Sequence, residues 1–298
     1  MDRIGVTTDF SEESRAAFPA AAQAARKLSA EIQLIHFLQV PPVLISPWPE
    51  VGPFAVPEDF AAEAEERLAS LAREAPAFQG LGVKTAVIRG ESPESVQDHV
   101  TREKIGLLVM AAHGYSGFKR FLIGSFTERM LRAVTCPVLI VHCSPAGEAP
   151  KTFEPRRILV AHDFSPVNAP LLAAAREWAR AFGAHVRLHF VIEETAGLYS
   201  YASHMHGTFK EYLAKVQTEA ERRFRKLIQE EWKGINAEGV VTVGSTEEEI
   251  IRAAKEYQAD LMAIGTHTRA RLDRLLGGVA QKLVRKAPCP VLVVRSKS

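Results

Sequence analysis

Cysteine is scarce in this chain of 298 residues, and the three present follow no redox spacing. Cys136, Cys143 and Cys289 make neither a C-x-x-C pair nor an even set, which argues against a disulfide framework and for a reducing, cytoplasmic setting. Long apolar runs are missing too. None approaches the roughly 18 residues that a membrane span needs, and "MDRIGVTTDF" has no basic segment leading into an apolar one, so neither a span nor a secretory leader is expected. G-x-S-x-G, G-x-x-x-x-G-K-[S/T] and H-E-x-x-H are absent, which leaves elbow hydrolase, P-loop and zincin chemistry without their residues. A strong net charge is also lacking: it is +2 overall, with 14 Lys+Arg against 18 Asp+Glu up to residue 150 and 23 against 17 beyond it. The basic run "ERRFRK" (221–226) falls in a helical pattern, where it reads as a solvated face, so no nucleic-acid partner is expected.

The chain does contain a duplication. "GVTTDFS" returns as "LVAHDFS", "IHFLQ" as "LHFVI", "MAAHG" as "AIGTH" and "TCPVLIVH" as "PCPVLVVR". Asp9 pairs with Asp163, His36 with His189, His113 with His267 and Cys136 with Cys289, at separations of 153 or 154 residues. A period that long is a tandem domain rather than a solenoid repeat. The stretch "SPAGEAPKTFEP" (144–155) reads as a linker, giving domains 1–147 and 148–298.

Within the first copy, Ile4–Thr7, Ile32–Phe37, Val83–Ile88, Leu107–Ala111 and Val138–His142 are short apolar runs of strand type. Between them lie segments with apolar residues at helical spacing, such as Phe60, Ala64, Leu68, Leu71 and Ala75. Ser92-Pro93 and Ser165-Pro166 fit helix starts, and Ser125-x-x-Glu128 and Thr246-x-x-Glu249 fit capping boxes. Alternating strands and helices with nearly continuous apolar strands predict two doubly wound α/β domains, each on a five-stranded parallel sheet. The segment 39–60, with six prolines and with Trp48 and Phe54, departs from that pattern and reads as a lid, a partner contact or a disordered stretch.

In such a fold the ends of strands one and four flank the ligand crevice, which would bring Asp9 next to the stretch "HGYSGFKRFLIGSFTE". Gly114, Gly117 and Gly124 would let backbone approach a ligand, and Ser125–Thr127 would open a helix whose free N–H groups suit a phosphate. The same letters are also compatible with a plain turn and helix cap.

"TTDFS" after the first strand, "AAHG" followed by nine residues and "GS", and "TCPVLIV" for the last strand together resemble the universal stress protein family, and both halves carry the likeness. The family's nucleotide pattern is G-x-x-G, nine residues, G-[S/T]; here Ala111 replaces the first glycine, while Gly114, Gly124 and Ser125 match. The resemblance implies a Rossmann-like, adenine nucleotide alpha hydrolase-like fold that binds ATP, ADP or AMP, with or without Mg2+, as a regulatory ligand in the stress response. It places Thr8 and Asp9 by the base and ribose and Phe37 in the base pocket, with His113 and Phe126 beside the loop. Gly114, Gly124, Ser125 and Thr127 then hold the phosphates. It also implies pairing of the last strands, Val138–His142 with Val291–Arg295, as an intramolecular pseudo-dimer, or a homodimer.

The second copy keeps Asp163 and Gly265 but has Thr268 for the second glycine. It reaches Gly277-Gly278 after eight residues, or Gly278-Val279 after nine, so its loop is degenerate. Arg269, Arg271 and Arg274 there suit another anion or simply the solvent. His204-x-His206 lacks a third ligand at a recognisable spacing, so no metal is expected. Two other functions fit the same letters: a slow ATPase or autophosphorylating enzyme using Ser125 or Thr127, and a scaffold binding no nucleotide.

Overall fold

The structure is a computed structural model that describes residues 1–38, 58–90, 92–112, 125–142, 152–194, 208–266 and 278–295. His113, Gly114, Gly117, Gly124, Thr268 and Gly277 lie outside the described residues, as do most of the Pro-rich segment and linker, the three loop arginines, and His204 and His206. Two compact units, Met1–Phe153 and Glu154–Ser298, make up the chain.

In the first unit β1 (Arg3–Thr7), β2 (Glu31–Leu38), β3 (Val83–Arg89), β4 (Ile105–Ala111) and β5 (Val138–Val141) form a parallel sheet in the order β3-β2-β1-β4-β5. β4 and β5 are almost wholly buried, because helices cover both faces, and a run of apolar side chains satisfies both at once. The helices are α1 (Glu12–Arg15), α2 (Ala17–Leu28), α3 (Glu58–Glu74), α4 (Pro93–Arg102) and α5 (Ser125–Ala133). Alternation along β2 shows how they divide. Gln33 accepts from His99 of α4 at 3.1 Å and Phe37 meets Phe126 of α5, whereas His36, on the other face, meets Phe10, whose ring lies beneath Arg67 of α3.

The second unit repeats the plan as β8-β7-β6-β9-β10, again parallel, from β6 (Arg157–Ala161), β7 (His185–Glu193), β8 (Ala237–Gly244), β9 (Leu261–Thr266) and β10 (Val291–Arg295). Its helices are α6 (Ala169–Phe182), α7 (Thr208–Glu231), α8 (Thr246–Glu256) and α9 (Gly278–Lys286).

Ser92 caps α4 as expected, accepting from the Ser95 N–H with Pro93 in the first turn. The other starts shift. Pro166 opens a 3-10 turn, Pro166–Asn168, and the α-helix follows at Ala169 with a second proline, Pro170, in its first turn. Thr246 is the first helical residue of α8 rather than its cap, because Ser245 holds the extended cap conformation and its carbonyl takes the Glu249 N–H at 2.9 Å. Ser125 likewise is already helical.

The ladders also correct the pairing of the copies. Thr8 donates its N–H to the Ile35 carbonyl, and His162 donates its own to the carbonyl of His189, both at 2.9 Å. Ile35, not His36, is therefore the counterpart of His189, and His36 corresponds to Phe190. A slip of one residue turns a strand side chain to the opposite face, so the distinction is chemical as well as formal.

Candidate functional site

β1 lies between β2 and β4, so connections leave it in opposite directions and a crevice opens at its carboxyl end. The turn there, Thr8-Asp9-Phe10-Ser11, is wired to itself. Asp9 Oδ1 accepts from both the Ser11 N–H and the Ser11 hydroxyl. The Phe10 N–H donates to Thr8 Oγ1 at 3.0 Å, Thr8 Oγ1 lies 2.8 Å from Ser14 Oγ, and Ser14 Oγ donates to the Ser11 carbonyl at 2.8 Å. Phe10 is left in the left-handed region (φ 66°), a costly conformation for a bulky side chain. Its ring lies 4.3 Å from the His36 ring, with the Arg67 guanidinium 4.4 Å from its centroid. His36 Nδ1 is 2.9 Å from the Thr8 carbonyl, which can only accept, so that nitrogen carries the proton. Burial holds the imidazole below its ordinary pKa against the opposing pull of the Thr8 bond and Asp9. Thr8 is thus buried and engaged, and Asp9, half-buried, puts a carboxyl group at the end of β1.

Across that crevice α5 starts directly beside the end of β4. Thr127 in its first turn is buried and donates its hydroxyl to the Ala111 carbonyl at 3.2 Å. The Phe126 ring packs 5.3 Å from that of Phe37. Two anchors, one polar and one aromatic, hold the first turn of the helix at the switch point. A nine-residue helix presents N–H donors and the positive end of its dipole, an arrangement suited to an anion. The hydroxyl of Thr127, which the resemblance assigns to the phosphates, donates to this docking.

The second unit keeps the frame and loses the anchors. Phe164 repeats the left-handed turn (φ 56°), Asp163 accepts from the Ser165 N–H at 2.8 Å, and Arg223 lies over Phe164 as Arg67 lies over Phe10. However, α9 begins at Gly278, so the eight-residue count is the correct one and Gly278, Val279 and Ala280 stand where Ser125, Phe126 and Thr127 stand. No hydroxyl remains to tie the helix to β9, and Val279 is exposed where Phe126 packs. His162 replaces Thr8, buried against Phe164 and Phe224 with ring separations of 4.9 and 6.0 Å. Among the described residues no group of three or more His, Cys, Asp or Glu could hold a metal ion, and no helix is long and apolar enough to cross a membrane.

Comparison with known proteins matches the Universal stress protein family model to residues 1–142 and again to 154–295. The chain belongs to the universal stress protein family. It is 26% identical over 303 residues to the universal stress protein Rv2005c of Mycobacterium tuberculosis, covering 98% of this chain and 96% of that one. A single-domain relative, universal stress protein YxiE of Bacillus subtilis, is 29% identical over 148 residues and matches 47% of this chain and 99% of its own. The crystal structure of a universal stress protein from Archaeoglobus fulgidus, 21% identical, superposes with a TM-score of 0.67 over 98% of both chains, which bears on the fold alone.

In this universal stress protein the contrast between Ala111 and Gly265 has a partner that motif reading missed. A Cβ on Gly265 would lie 2.6 Å from Asn168 Oδ1. Asn168 is buried and its Nδ2 donates to Asp163, so it cannot swing away. In the first unit the same two positions hold Ala111 and Ser14: the smaller polar side chain goes with the larger strand residue. Gly265→Ala is expected to destabilise the second unit by about 1–3 kcal/mol, the usual cost of overpacking. Adding Asn168→Ser should recover most of it. Urea unfolding followed by Trp178 and Trp232, both buried in this unit, measures both, and a Gly265→Ala midpoint equal to wild type would refute the clash.

Proposed function

We propose that this universal stress protein binds ATP or a related adenine nucleotide in its first unit as a regulatory ligand, with the second unit retaining the fold without that site. The observation that carries this reading is the docking of α5 by the Thr127–Ala111 bond, which seats a helix N-terminus at the end of β4, the neighbour of the strand that Asp9 follows. The residues fit the ligand's chemistry. The N–H groups of a helix's first turn suit phosphate oxygens, and a carboxylate at the end of β1 suits ribose hydroxyls. His113, Gly114, Gly124 and Ser125 belong to the same proposal through the family pattern they match. The second unit has lost all three residues of the helix start, and the register of α9 supports assigning it no nucleotide of this kind.

The test is mass spectrometry of whatever adenine nucleotide denaturation releases from freshly purified protein, with the molar ratio measured alongside. One nucleotide per chain is expected. Two would overturn the assignment of the second unit, and none, with no heat on ATP titration, would overturn the proposal.

A further inference from the structure

The second unit has placed imidazoles at two core positions where the first unit has nothing that titrates. His189 occupies the place of Ile35 and His162 that of Thr8. Ile35 is fully buried and Thr8 spends its hydroxyl on Ser14. His189 is 2% exposed; its Nε2 lies 3.0 Å from Thr242 Oγ1 on β8, while its Nδ1 is buried with no hydrogen-bond partner among the described residues. His162 is also buried, and its Nδ1 too has no such partner. A neutral ring tolerates this arrangement, but a protonated one needs two acceptors, and neither ring has them.

The surroundings offer little compensation. Arg187 on its own strand and Arg252 of α8 face His189 with like charge, and Glu249 of α8 opposes them; the Thr242 hydroxyl of β8 adds no charge. His162 has Asp163 next to it and Glu231 of α7, with Arg223 of the same helix over the neighbouring Phe164 ring. In the first unit His36 is half-buried and His99 buried, and burial lowers both imidazoles too; the His36 Nδ1 donates to the Thr8 carbonyl and Asp9 favours a charge on that ring, whereas the His99 Nδ1 accepts from Arg102 at 3.1 Å, whose charge opposes a proton there.

We infer that the carboxyl end of β6 and the middle of β7 beside it form an acid-triggered release: as pH falls, His162 and His189 take up protons that the closed sheet cannot accommodate, and the second unit loosens before the first. The sign follows from burial, which pushes His189 from 6.5 down to about 4 and lowers His162 in the same direction. A group depressed in the folded state contributes full stability above its unfolded value and loses it as pH drops towards the folded one. The window therefore runs from about 6.5 down to about 4. At pH 4.5, within it, the opening equilibrium should rise on the order of 50- to 100-fold from His189 alone.

Amide hydrogen exchange on the full chain between pH 7.5 and 4.5, corrected for intrinsic rates, reads this directly. Amides of β6 and β7 should lose protection by that factor beyond those of β1 and β2. His189→Ile with His162→Thr, which restores the first unit's residues, should remove the difference. Equal loss in both units, or a wild-type profile in the double variant, would overturn the inference. So would an ordinary imidazole value for His189 in a proton NMR titration of the unmodified protein, a measurement that needs no variant to fold.

Discussion

Gly239→Thr is expected to cost the second unit about 3 kcal/mol, at the upper end of what overpacking usually does. Glycine in the interior of a strand is ordinarily a weakness, and its presence in β8 marks a close approach. A Cβ there would lie 2.5 Å from Phe224 Cβ, 2.6 Å from its Cγ and 2.7 Å from its Cδ2, so the clash is with the base of a ring and cannot be relieved by bending a flexible end. The ring is also held: Phe224 is 1% exposed and sits 4.6 Å from Phe164. The first unit has the sizes exchanged at the equivalent positions. Gly239 pairs with Leu188 as Thr85 pairs with Leu34, and the helix position one residue after the ring-capping arginine is Leu68 there and Phe224 here. Copying the pair, as Gly239→Thr with Phe224→Leu, should therefore be more stable than Gly239→Thr alone. Urea midpoints in a double-mutant cycle measure the coupling, and strict additivity would show that α7 does not rest on β8 through these residues.

The second large effect concerns ligand binding. On the nucleotide site proposed above, writing the second unit's helix start into the first, as Ser125→Gly, Phe126→Val and Thr127→Ala together, is expected to weaken ATP binding about 100-fold. Charge-assisted hydrogen bonds contribute about 1.5–3 kcal/mol each, and 1.4 kcal/mol is a factor of ten, so a helix N-terminus set adrift from β4 forfeits at least that much. The exchange also removes the donor to the buried Ala111 carbonyl and the ring beside Phe37. Calorimetry gives the affinity and far-ultraviolet circular dichroism confirms that the fold persists. Unchanged affinity in a folded triple variant would dissociate the site from α5.

Much of the architecture was legible because its causes are local. Runs such as those of β4 and β5 are apolar on both faces, and only a covered parallel sheet needs that. The crevice could be located from topology alone, since Asp9 and Ala111 end adjacent strands. What escaped reading depends on contacts between distant segments. "IHFLQ" and "LHFVI" align by their shared histidine, yet the ladders align Ile35 with His189, because backbone bonding obeys strand register and is indifferent to matching letters. Thr246 reads as a cap one residue late because Ser245 and Thr246, two polar residues in succession, could each serve. Nothing in Ala111 alone reveals that its counterpart is small for the sake of Asn168, although the fifth residue after each aspartate, Ser14 or Asn168, was there to be compared.

The paired ladders have a practical consequence. Thr8 and His162 donate equivalent backbone bonds of equal length to equivalent strands, so each amide of one sheet has a twin of the same chain age, concentration and solvent history in the other. The ratio of exchange rates within such a twin pair is free of the errors that separate two samples. A single molecule thereby carries the reference against which ligand, acid or substitution in either half can be read.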